Sequence, residues 1–120
     1  MPHARMFMDG ISRAIDELGK VCVMQLGGDG QLEKMARQLF EKNIASWQRV
    51  DDPRGAALFD VFVCTDCGND DQVGEMVGKV RGTRYVLLEK AGGEWIKDLL
   101  PEYETVEEWP VWFWAARLKG

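Results

Sequence analysis

The chain contains one histidine, three cysteines and four prolines in 120 residues, and each shortage removes a class of chemistry. The single histidine, His3, leaves no pair of imidazoles to ligate a metal, and near the start of the chain it reads as a terminal residue rather than as the base of a Ser-His-Asp relay. Lysine and arginine form no run. With 15 basic against 20 acidic residues, the net charge of -5 opposes attraction to nucleic-acid backbones, so no nucleic-acid partner is expected. No apolar stretch reaches the roughly eighteen residues of a membrane span. The start, 1-MPHARMFMDG-10, lacks the basic-then-apolar layout of a secretory leader, so neither membrane contact nor secretion is expected. An odd number of cysteines argues against a secreted disulfide scaffold and for a reducing, cytoplasmic compartment. There is also no Walker-type glycine and lysine loop, no internal repeat and no low-complexity segment.

What remains is a globular composition, 46% hydrophobic and 29% charged, that suits one domain over residues 1–120. Five Trp and five Phe exceed the needs of a small core and point to a pocket or a subunit contact as well. Phe7, Ile11, Ala14, Ile15 and Leu18 recur at helical spacing over residues 6–18, and Gly19 ends that helix. The segment 20-KVCVMQLGGDG-30 reads as a strand broken by glycines. After it, Leu32, Met35, Ala36, Leu39 and Phe40 form one stripe of a helix over 31–43. Further strands are read at 44–50, 57–64 and 84–90, the second apolar on both faces apart from Asp60. Helices are read from Asp70 or Asp71 onward and over 94–100. Tyr and Trp alternate through 102–109 and 111–119, as in an antiparallel pair, although the latter segment also reads as helical. Strands alternating with helices predict an α/β fold, three-layer and Rossmann-like, with a mostly parallel sheet and a C-terminal antiparallel hairpin.

Within 25-QLGGDG-30, residues without side chains lie between a strand and a helix. Such a turn admits close approach of a ligand to helix N-terminal amides, and it also serves as a plain structural turn. Asp51, 21 positions after Gly30 and at the end of the second strand, is spaced as the acid that accepts hydrogen bonds from a ribose diol. Beside Pro53 it is equally an ordinary turn residue.

Taken in order, the helix 6–18, the strand and turn 21-VCVMQLGGDG-30, Asp51, 59-FDVFVCTD-66, 85-YVLLEK-90 and the closing 103-YETVEEWPVWFWAARLK-119 resemble a small class I S-adenosylmethionine-dependent methyltransferase. That family carries an acid-x-Gly-x-Gly-x-Gly run. In this chain Met24 falls at the acid and Leu26 at the first glycine, whereas Gly28 and Gly30 match. Only about 27 residues separate Gly30 from Leu58, fewer than the family's helix, strand and helix require, so the chain resembles a shortened member. The resemblance implies S-adenosyl-L-methionine as cofactor, with Gly28 and Gly30 at its amino-acid end and Asp51 on its ribose. Asp66, just beyond a strand end, is the candidate for orienting or deprotonating a methyl acceptor.

The pair Cys64 and Cys67 in 61-VFVCTDCGNDD-71 admits three readings. A closed zinc site wants four ligands, and no second pair is present, so no metal is expected. A thiol-disulfide pair ahead of a helix is the second reading. In the third, Cys64 is a small core residue and Cys67 a loop residue beside a cleft. In the aromatic tail, Trp95, Tyr103, Trp109, Trp112, Phe113 and Trp114 divide between core and an exposed set. The exposed set is expected to serve a homodimer or another protein partner.

Overall fold

The computed structural model describes residues 4–50, 59–65, 78, 80, 82–89, 99–109 and 113–119. Its elements are α1 (Ala4–Leu18), β1 (Val21–Leu26), α2 (Gln31–Phe40) with a single 3-10 turn Glu41–Asn43, β2 (Ile44–Val50), β3 (Val61–Cys64), β4 (Tyr85–Glu89), β5 (Tyr103–Trp109) and β6 (Phe113–Leu118). The strands form one six-stranded sheet in the order β2-β1-β3-β4-β6-β5. The first four are mutually parallel, and β6 runs antiparallel to both β4 and β5. This is the mostly parallel α/β sheet with a C-terminal hairpin that the sequence predicts, and it is consistent with a Rossmann-like fold.

Period-two alternation sorts the strand residues onto two faces. Val21, Val23, Val61, Val63, Tyr85, Leu87, Phe113 and Ala115 pack with Phe7, Ile11 and Ala14 of α1 and Leu32 and Ala36 of α2. Their alternates Met24, Leu26, Phe62, Cys64, Val86, Leu88, Trp114 and Ala116 pack with Val80, Leu100 and Tyr103. Burial on both faces explains why β3 and β4 read as unbroken apolar runs. Gly10 lets α1 lie close over β4: a β-carbon there would come within 2.5 Å of a Leu87 methyl.

Two sequence boundaries shift, and one ambiguous segment is settled, for identifiable reasons. The helix read over 31–43 tightens into the 3-10 turn after Phe40, a common way to satisfy the last carbonyls. The strand read from residue 57 begins only at Val61, because Asp60 is a clasp. Its carboxylate accepts from the Cys22 amide at 2.9 Å, its own amide donates to the Cys22 carbonyl at 2.8 Å, and its carbonyl accepts from the Tyr85 amide at 3.1 Å. The ambiguous last segment is a strand, since its alternation pairs it with both β4 and β5. Helices read near 71–80 and 94–100 lie mostly outside the described residues; Gly78, Val80 and Leu99 are helical within them. The first helix ends where expected, with Gly19 at φ 84° and its amide donating to the Ile15 carbonyl at 2.7 Å.

Candidate functional site

The chain leaves β1 on one side toward β2 and later returns on the other side as β3, so the strand order reverses between β1 and β3. Loops at the carboxyl ends of two such strands part into a crevice, the usual ligand position in an open α/β sheet. Here those loops are the glycine turn after Leu26 and the segment that starts at Thr65. They meet directly: the Thr65 amide donates to the Leu26 carbonyl at 3.3 Å.

Gly27 and Gly28 hold φ values of 75° and 73°, a left-handed pair that side chains rarely tolerate. What fixes them is Gln25, fully buried near the end of β1. Its amide nitrogen donates to the carbonyls of Gly27 at 2.8 Å and Asp29 at 3.2 Å, while its oxygen accepts from the Trp47 indole at 3.0 Å. The space beside Gly28 is taken by protein: a β-carbon there would sit 2.8 Å from both Gln25 Nε2 and Thr65 Oγ1. At Gly30 the surroundings are open, and a β-carbon would meet only the Arg49 guanidinium, at 3.9 Å.

Gly30 is the N-cap of α2. The Asp29 carboxylate accepts from the Gln31 amide at 3.0 Å, an Asx turn that satisfies one helix N-terminal donor. The Gly27 amide donates to the Val50 carbonyl at 3.4 Å. Among the described residues, the amides of Gly28, Asp29 and Gly30 have no hydrogen-bond acceptor. Three consecutive free donors at the positive end of a helix favour a carboxylate or another polar anionic group. Beside them an open cavity of about 470 Å³ is lined by Asp29, Gly30, Gln31, Lys34, Met35 and Gln38.

Gly28 and Gly30 are thus both in the turn, Gly28 packed against the protein and Gly30 facing outward. Asp51 directly follows Val50, the last residue of β2, and Asp66 directly follows Thr65; both lie outside the described residues, as do Cys67, Trp95 and Trp112. Met24 and Leu26, at the positions where the family's acid and first glycine fall, are core residues on the face opposite α2. Sequence reasoning missed Gln25, Thr65 and Arg49. The one available signal was a polar residue inside the apolar run 21-VCVMQL-26, because a buried amide must be hydrogen-bonded.

Cys64 is 1% exposed and disulfide-bonded, and Cys22 is a free thiol. Among the described residues no group of three His, Cys, Asp or Glu converges as a metal site. Trp114 is buried and its indole donates to the Thr105 hydroxyl at 2.8 Å, so it contributes to the core; Trp109 is 55% exposed.

A second cavity, about 330 Å³, lies at the opposite edge of the sheet and is lined by Arg13, Asp16, Glu17, Tyr85, Val106 and Arg117. The Tyr85 hydroxyl donates to Glu17, which lowers the Glu17 carboxyl below its usual range, and burial raises the Tyr85 phenol. Arg84 also pairs with Glu17, and Arg117 with Glu104. The first set ties the end of α1 to the start of β4, and the second links the two strands of the hairpin.

No sequence-family model and no curated protein matches the chain. Among solved structures it is similar to TehB from Haemophilus influenzae, at 14% identity and a TM-score of 0.54, over 92% of this chain and 62% of that one. The chain therefore spans about 62% of the length of the structure it matches. At that identity the likeness concerns the fold alone.

Proposed function

We propose that the chain binds S-adenosyl-L-methionine in the open cavity beside Gly30 and the start of α2, and that methyl transfer is its reaction class. One observation carries this reading: three consecutive free amides, the first belonging to the left-handed pair Gly27 and Gly28, lie at the carboxyl edge of a parallel sheet, at its switch point. The methyltransferase-like fold supports it. The donor set fits the amino-acid end of the cofactor, because the amides of Gly28, Asp29 and Gly30 complement a carboxylate. Asp51, next in sequence after the end of β2, is assigned to the ribose hydroxyls. Asp66, next after Thr65, is assigned to orienting the acceptor and taking its proton. The cofactor, when bound, supplies an electrophilic methyl group. The chain's own contribution is to align the reactants and keep water away from them.

Titration calorimetry with S-adenosylmethionine and with S-adenosylhomocysteine tests the binding step. Saturable heat with either ligand is expected; none at millimolar ligand overturns the proposal.

A second reading, a non-catalytic homodimer, is favoured by Trp109, a large apolar side chain exposed on the edge strand β5. It predicts an oligomer in sedimentation that Trp109→Ala dissociates; a strict monomer at all concentrations removes it.

A further inference from the structure

Strand β2 forms one edge of the sheet, and its outer side is unpaired among the described residues. In a parallel ladder alternate residues turn both backbone groups toward the neighbouring strand, and those between them turn away. The Val50 carbonyl accepts from the Gly27 amide, and Val50 lies in register with Leu26, so Val50 faces β1. The register is regular from Ser46 to Val50, which makes Ser46 and Gln48 face β1 as well. Trp47 and Arg49 therefore point their amides and carbonyls outward, and no partner for these groups is present among the described residues. Such an edge is a template for another strand, and edges are ordinarily blunted by proline, lysine or bulges. In 44-IASWQRV-50 the only charge is Arg49, and the one irregularity, at Ala45, lies outside the regular stretch. Helix α2 adds apolar surface above the same edge. It packs on β2 and against α1, and Phe40 joins the core shared with α1. Met35 and Leu39, one turn apart on the other flank, are 37% and 60% exposed.

We infer that β2 pairs antiparallel with β2 of a second copy of the chain, about a two-fold axis at Gln48, joining two sheets into one. In that register Trp47 of each copy lies directly opposite Arg49 of the other, and each such pair exchanges both of its outward hydrogen bonds. Residues directly opposite share a face, so each Arg49 guanidinium meets the rim of a Trp47 indole that Gln25 already holds in place. This complementarity selects a second copy and its register. An axis at Arg49 would set two like charges against each other, and an axis at Trp47 would bring Arg49 opposite the irregular Ala45. The axis stands perpendicular to the sheet, so both α2 helices lie on the same face and run antiparallel, with Met35 and Leu39 of each copy turned toward those of the other. The contact uses the same patch on both copies, so it closes as a dimer and leaves the β5 edge free.

The pairing does not rest on the ligand reading, and its test needs no ligand. Sedimentation of the full chain over a concentration series should show a monomer-dimer equilibrium; a strict monomer at millimolar protein overturns the inference. Amide hydrogen exchange of the unmodified chain, read by NMR, should slow at Trp47 and Arg49 as concentration rises. Exchange at Gln48 and Val50, already bonded to β1, should stay unchanged. Equal exchange at Trp47 and Arg49 in dilute and concentrated samples overturns the assignment to this edge. Gln48 is exposed, and at the axis it faces its own copy. Gln48→Lys and Gln48→Glu should therefore each keep the far-UV circular dichroism of the fold and weaken the dimer about fivefold, because like charges come directly opposite. An equal mixture of the two variants should restore the dimer. Variants that dimerise as well as the unmodified chain, or a mixture no tighter than either alone, place the axis elsewhere and overturn the register. Trp109→Ala, on the other edge strand, should leave the dimer intact; dissociation by that variant overturns the β2 contact in favour of β5.

Discussion

Gln25 shows why an amide, and not an acid, stands under the glycine turn. It must donate to two carbonyls, those of Gly27 and Asp29, and accept from Trp47. A carboxylate accepts only. Gln25→Glu should therefore cost about 2–4 kcal/mol at neutral pH. Burial and the two facing carbonyls raise the new carboxyl's pKa in the folded state, so the variant is most stable in acid and loses stability as pH rises; thermal melts from pH 4 to 8 check this. The glycines separate in the same way. Gly28→Val drives a side chain into Gln25 and Thr65 at a left-handed φ and should lower Tm by several degrees. Gly30→Val meets only Arg49, so it should leave Tm within about 2 °C yet weaken ligand binding at least tenfold, as read by melting and calorimetry. The turn's position was legible from its composition. Which glycine faces the protein was not, because that depends on Thr65, 37 positions after Gly28 in the sequence.

Helix α1 and strand β5 each lean on one contact that no periodicity reveals. Gly10→Ala would gain helix propensity of up to about 1 kcal/mol but force a methyl into Leu87 in a closed core. A net loss of about 1 kcal/mol is expected in denaturant unfolding, and Leu87→Val in the same chain should recover part of it, since the two residues share the space. At the start of β5 the buried Tyr103 hydroxyl donates toward the carbonyls of Val80 and Thr83, and burial pushes the phenol up to about 12. Its folded pKa exceeds the unfolded value near 10, so its contribution is complete below about pH 10 and lost as pH rises toward 12. Tyr103→Phe should cost about 1–2 kcal/mol at pH 7 and flatten the alkaline limb of a stability-pH curve between about pH 10 and 12. Helical and strand spacing exposed α1, α2 and all six strands, since each buries a regular stripe or alternation. The clasp at Asp60 and the tightened turn at Glu41–Asn43 escaped, because both answer to backbone hydrogen bonds rather than to side-chain pattern.

Across the molecule, the strand order places the proposed ligand site at one end of the sheet and the Glu17, Tyr85 and Arg117 cluster at the other. Sheet class and hairpin were readable from the alternation of elements; the switch point between β1 and β3 needed the pairing itself. At the cluster end, Asp60 joins Cys22, 38 positions before it, and Tyr85, 25 positions after it. Bringing them together closes long loops before any contact rewards the lost entropy, and this governs how fast the chain can find its register. Refolding after dilution from denaturant, followed by tryptophan fluorescence in stopped flow, should take milliseconds to seconds. Asp60→Ala should slow that refolding limb more than it speeds unfolding; an unchanged refolding rate would mean that the three strands align without the clasp.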